Sequence, residues 1–103
     1  MKKFRKSKKK KGSQKDKDDI SSLYYWGDKN ILISSSWDGR VRLYDDSTAD
    51  QEGTKRYTMK KHEDSVNFID FKESNPDDPQ DPPLCASCSD DGSVVIYNYG
   101  SYR

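Results

Sequence analysis

Apolar and polar residues alternate along most of this chain in short runs broken by turn residues. Residues 20–26 (ISSLYYW) are rich in aromatics and lead into Gly27-Asp28-Lys29-Asn30, a composition that bends the backbone. Residues 31–36 form a second short apolar run, ended by Trp37-Asp38-Gly39. Asp-Gly is a strong hairpin signal because both residues tolerate positive φ. Residues 40–45 (RVRLYD) alternate polar and apolar, the period of a half-buried strand. After a polar stretch, residues 55–61 form a weaker strand candidate with Tyr57 and Met59 on one face. The pattern then restarts with strands at 66–71, 84–89 and 93–98 and a second Asp-Gly at Asp91-Gly92. Residues 72–83 hold all four prolines and read as a loop. No segment keeps a helical period, so the expected fold class is all-β.

The restart is an internal repeat. Residues 31–47 (ILISSSWDGRVRLYDDS) lie over residues 84–100 (LCASCSDDGSVVIYNYG) at an offset of 53 residues. Six positions coincide: Ser34 with Ser87, Ser36 with Ser89, Asp38 with Asp91, Gly39 with Gly92, Val41 with Val94 and Tyr44 with Tyr97. Self-similarity at such a period marks a repeat architecture, in which each unit buries its apolar face against a neighbour. The proline-rich loop accounts for most of the excess over a repeat of ~40–45 residues.

The run Ser87-Cys88-Ser89-Asp90-Asp91-Gly92, closed by Tyr97-Asn98, resembles the second half of a WD repeat, with its S-x-S-x-D-G turn and aromatic-acid ending. The first copy closes on Tyr44-Asp45, and His62 stands where that family has its Gly-His pair, with Lys61 in place of the Gly. The resemblance implies a partial β-propeller of about two blades, each built of antiparallel strands. The first would span 20–61, and the second, 62–103, would lack its fourth strand. It also implies a buried polar relay of His62, Ser87, Asp91 and Tyr97, pinning the turn to the neighbouring blade. The first blade has the turn residues Ser34, Asp38, Gly39 and Tyr44 but no histidine, so its relay is incomplete. Within the family, the chain is similar to the large propeller proteins of cilia and flagella.

Composition adds one further segment. The net charge of +1 is split: residues 1–19 hold ten Lys/Arg against three Asp, a net of +7, and the remainder carries −6. The cations Lys2, Lys3, Arg5, Lys6, Lys8, Lys9, Lys10 and Lys11 repel one another and lack apolar company, so residues 1–19 are expected to be disordered in isolation. Such a segment suits a polyanion: the acidic surface of a filament such as tubulin, or, as the alternative, nucleic acid. It has no interleaved aromatics for base stacking, which favours the protein surface. With 30% hydrophobic and 36% charged residues, the chain is poor in material for a self-sufficient core. It has no apolar run of the ~20 residues a membrane helix needs. Two cysteines and no secretory signal point to an intracellular setting, with the ciliary axoneme as the first location and the nucleus as the alternative.

Candidate catalytic and metal chemistry is thin. Cys85 and Cys88 are three apart on a strand and point to opposite faces, so they do not converge on a metal and read as small core residues. Asp77, Asp78 and Asp81 are interrupted by prolines and lack the spacing of a calcium loop. No nucleophile elbow, phosphate loop or dinucleotide motif occurs. The reading is a non-enzymatic scaffold piece of a large assembly, with no cofactor and no metal, completed by other protein chains or further blades.

Overall fold

The computed structural model of this chain describes residues 19–47 and 53–102. The lysine cluster Lys2–Lys11, and the expectations that rest on it, lie outside the described residues. The described chain is all-β apart from two short 3-10 turns. Strands β1 (Ile20–Trp26), β2 (Ile31–Ser36), β3 (Val41–Asp45) and β4 (Lys55–Met59) form one sheet in chain order. Strands β5 (Val66–Lys72), β6 (Leu84–Ser89) and β7 (Val94–Asn98) form the other. All neighbouring strands are antiparallel.

Local chemistry explains each reversal. The chain leaves β1 through a 3-10 turn, Gly27–Lys29, and Asn30 stops it in the left-handed region at φ 59°, where asparagine is among the few tolerated residues. The two Asp-Gly turns place Gly39 and Gly92 at φ 88° and 86°. β4 ends at Met59, two residues earlier than the alternation suggests, and Tyr57 is exposed. Lys60 has left the ladder, and its ammonium donates to the His62 carbonyl at 3.0 Å.

The sheets stack face to face through β1 and β5. Phe71 stacks on Tyr24 with ring centroids 4.6 Å apart and meets Trp26 at 4.8 Å. Polar contacts flank the aromatics: Ser21 donates to the Val66 carbonyl at 2.7 Å, and the Ile69 amide donates to the Ser22 hydroxyl at 3.0 Å. Tyr24 also donates to Glu73, and burial together with that carboxylate raises its phenol to about 12. Ladder register places Ile31, Ile33, Val41 and Leu43 on the face of the first sheet that meets the second. Cys85, Ser87, Val95 and Tyr97 lie on the reciprocal face. Burial pushes the Cys85 thiol up to about 12, so it behaves as a small apolar residue. Cys88 departs from expectation: it is exposed, because it lies in the Phe68–Cys88–Val94 row on the opposite face.

The loop between β5 and β6 is exposed over most of its length, yet locally tied. Lys72 pairs with Asp81 at 2.7 Å, and Asp81 accepts the Asn75 amide at 2.8 Å.

Candidate functional site

The repeat seen in the letters recurs bond for bond at the turns. In the first, the Asp38 amide donates to the Ser36 hydroxyl at 3.1 Å and Gly39 donates to the Ser36 carbonyl at 3.1 Å. In the second, Asp91 and Gly92 make the same bonds to Ser89, at 3.0 and 3.1 Å. Asp38 accepts the Arg40 amide at 3.0 Å, and Asp91 accepts the Ser93 amide at 2.9 Å. Each turn also reaches the segment before its own sheet: Trp37 donates to the Asp19 carbonyl at 3.0 Å, and Asp90 to the Ser65 carbonyl at 3.1 Å. The turns Ser36–Arg40 and Ser89–Ser93 are thus held by a copied set of Asx and serine bonds.

The four residues of the second relay come together. His62 is fully buried, and its Nε2 lies 2.7 Å from the Ser87 hydroxyl. Ser87 bonds the Tyr97 hydroxyl at 3.2 Å. On the other side of the ring, Nδ1 lies 2.9 Å from Ser93 Oγ and 3.4 Å from Asp91 Oδ2. Ser93 gives its single hydroxyl proton to Asp91 at 2.5 Å, so it accepts from His62 Nδ1–H. Ser93 is thus a fifth member that the sequence pattern did not single out. It follows the Asp-Gly by one residue, and a hydroxyl beside a turn carboxylate was the available signal.

Asp91 is an exposed turn residue, but its side chain is only 15% exposed and stands beside the His62 ring. The Ser93 hydroxyl and the Glu63 amide, which donates to it at 2.7 Å, hold its carboxyl well below the usual carboxylate range. Burial raises the Tyr97 phenol, which therefore stays protonated as a hydrogen-bonding group.

The first turn is wired differently. Asp38 Oδ2 accepts Arg42 Nη2 at 2.7 Å, and both side chains are buried. Burial opposes the Asp38 charge, but Arg42 and the turn amides outweigh it and lower its pKa. Ser34, the counterpart of Ser87, is 2% exposed, and its hydroxyl has no hydrogen-bond partner among the described residues. Tyr44 is half-buried on β3. Gly39 carries the contact between sheets: a Cβ there would stand 3.2 Å from the Asp64 carbonyl oxygen and 3.3 Å from that of His62. At Gly92 a Cβ would meet nothing within 4 Å.

Among the described residues, no group of three or more His, Cys, Asp or Glu is placed to hold a metal ion. No helix among them is long and apolar enough to cross a membrane.

Stacked antiparallel sheets whose repeated Asp-Gly turns lock onto the segment leading into their own sheet define blades of a β-propeller. The WD domain, G-beta repeat family matches residues 6–45 and 53–98, most of the sequence, and the chain belongs to that family. The first match begins within the lysine-rich segment, ahead of β1. Among curated proteins, the chain is similar to a Drosophila melanogaster protein named Protein SEC13 homolog, at 38% identity over 68 residues. That stretch is 65% of this chain and 17% of the relative, so the chain spans only a small part of the relative's length. No solved structure matches the chain significantly.

Proposed function

We propose that this chain is a non-enzymatic protein-interaction scaffold, two adjoining blades of a larger propeller. Its remaining blades would come from the rest of a longer polypeptide or from a partner chain. The observation that carries this reading is the far face of the second sheet. Val41 and Leu43 in the first repeat are 0% and 1% exposed, while their counterparts 53 residues on, Val94 and Ile96, are 65% and 59% exposed. Phe68 lies on the same face and is also exposed. Removing such side chains from water is worth about 1.5–3 kcal/mol each. A third sheet laid on them, as the second is laid on the first, fits both their chemistry and their register. The open space at Gly92 fits the same neighbour, because the segment 62–64 fills that space at Gly39.

In this reading, 20–61 and 62–103 are the blades, and His62, Ser87, Asp91 and Tyr97 act as a structural relay, not as catalysts. They latch the turn to the segment that enters the sheet. The lysines ahead of the first blade then face an acidic partner surface. The axonemal placement, with tubulin as that surface, rests on the sequence resemblance alone, and the SEC13 homolog lends it no support. A nuclear or ribosome-associated factor whose lysines bind RNA is the alternative, and localisation of the tagged protein separates cilium from nucleus.

The test is Val94→Glu with Ile96→Glu in the full polypeptide. The expected outcome is loss of the native assembly on size-exclusion chromatography, because two charges are forced into a dry face. Unchanged elution and melting would show that nothing covers this face.

A further inference from the structure

The hydroxyls at the seam between the two sheets form a single ordered path. The register of β1 on β2 shifts between Ile20 and Ser22, which brings both Ser21 and Ser22 to Ser35. Each of their hydroxyls lies 2.7 Å from that of Ser35, which is fully buried. Ser21 donates its one proton to the Val66 carbonyl, so it accepts from Ser35. With its own proton so placed, Ser35 accepts from Ser22, and Ser22 accepts the Ile69 amide. The path therefore runs in one sense, from Ile69 N–H through Ser22, Ser35 and Ser21 to the Val66 carbonyl. It begins and ends on the backbone of β5, a terminal strand of the described second sheet. Bonds aligned in one sense polarise one another, and together they hold one acceptor and one donor at fixed positions for the neighbouring strand.

The second sheet repeats the shift but not the hydroxyls. Its register shifts between Val66 and Phe68, and Phe68 pairs with Cys88 as Ser22 pairs with Ser35. Ser21, Ser22 and Ser35 thus correspond to Asn67, Phe68 and Cys88. Asn67 is tied back within its own sheet, donating to Asp90 at 2.7 Å. The exposed Cys88 thiol turns to the Phe68 carbonyl, 3.8 Å away. Phe68 is 57% exposed, and Val94 continues the row on the other side of Cys88.

We propose that the serine path is the element by which the first sheet selects the second as its neighbour, and that the second sheet selects a neighbour of different chemistry. That neighbour is a further sheet that meets Phe68, Cys88 and Val94 with apolar side chains. Its being a sheet rests on the scaffold reading above and on continuity with the stacking already present. The Phe68 corner is the repeat equivalent of the corner that β5 covers on the first sheet. An edge strand that brings a carbonyl and an amide to this point, as β5 does, gains two bonds at the serine corner. At the Phe68 corner the same strand would leave both groups cut off from water and unbonded, which is costly. Each corner therefore rejects the other's partner, and the order of sheets along the stack is fixed.

The path is tested by a double-mutant cycle, Ser21→Ala and Ser22→Ala, in the full polypeptide, read by hydrogen exchange at the Ile69 amide. Ser22→Ala removes that amide's acceptor and is expected to speed exchange about tenfold. Ser21→Ala leaves the acceptor in place, yet it is expected to speed exchange severalfold, and the double change no more than Ser22→Ala alone. Additive effects, or no effect of Ser21→Ala at Ile69, would overturn the path. Ser21→Thr keeps a hydroxyl and is expected to keep the protection. Loss there equal to that of Ser21→Ala would assign the effect to packing and overturn the path as well. The second corner is tested by Phe68→Ser with Cys88→Ser, which gives it the hydroxyls of the first. These two exposed positions are expected to lower the melting temperature of the full polypeptide by several degrees, and an unchanged or higher value would overturn the apolar corner. Val94→Glu with Ile96→Glu keeps the two ideas apart. If those charges also leave melting unchanged, the scaffold reading itself fails. If they lower it while the serine pair does not, only the chemistry assigned to the corner fails.

Discussion

His62 is held from both sides of its ring inside a fully buried site, so its removal strands two hydroxyls at once. His62→Ala is expected to lower stability by about 1–3 kcal/mol, measured by denaturant unfolding of the assembled protein. An unchanged midpoint would remove it from the latch. Asp91 supplies a pH dependence whose sign follows from its lowered pKa. A carboxyl held below its unfolded value stabilises the fold above that value, and the contribution is lost only as pH falls through the folded one. The second turn is therefore expected to stay latched through mild acid and to release only below the ordinary carboxylate range. The Ser93 amide shift, followed by NMR against pH, reads this directly, and release near the ordinary aspartate value would contradict it. The two turn glycines give a paired comparison. Both carry positive φ, but only Gly39 also faces backbone atoms of the next segment. Gly39→Ala is expected to cost roughly 1–3 kcal/mol and to exceed Gly92→Ala, as seen by thermal melts of the two variants.

Strand by strand, much of the fold was legible because the relevant signals are local. The Asp-Gly pairs set both hairpins, and alternation set the limits of β1, β2 and β6 as they stand in the structure. The weakest expectation was β4, whose sequence KRYTM is mostly polar. It holds its place by pairing with β3, with Leu43 opposite Tyr57 and Val41 opposite Met59. What did not show in the sequence depends on contacts between distant residues. The Tyr24–Phe71–Trp26 cluster joins β1 to β5, and no local period announces it. The Asp38–Arg42 pair was likewise hidden, since an arginine on an alternating strand reads as an exposed residue until the turn carboxylate is seen beside it. The exposure of Cys88 follows from its strand parity once the sheet-facing side is known. In the second sheet β7 is a terminal strand of the described residues, and alternate side chains Val94 and Ile96 lie in solvent. Val95→Lys should be costly, because Val95 packs on the inter-sheet core. A single Val94→Lys should have little effect on the isolated chain and a large one on the completed propeller. Comparing the two lysine variants by protease resistance, alone and assembled, checks this.

For the molecule as a whole, the sheets behave as repeats of one unit that buries its front face against the back of its neighbour. The first unit has such a neighbour, while the corresponding front of the second faces solvent, with Phe68, Val94 and Ile96 on it. Two stacked sheets give too little dry surface to offset the entropy of ordering the chain when a third of its residues are charged. The shared fold and the 53-residue repeat argue for a scaffold whose stability is a sum over neighbouring units. Sedimentation combined with circular dichroism of the isolated 103-residue chain at low concentration tests this most directly. The account predicts self-association or a broad, non-cooperative melt, relieved when the missing blades are supplied. A soluble monomer with a sharp cooperative melt would contradict it, because the two sheets would then be a complete domain by themselves.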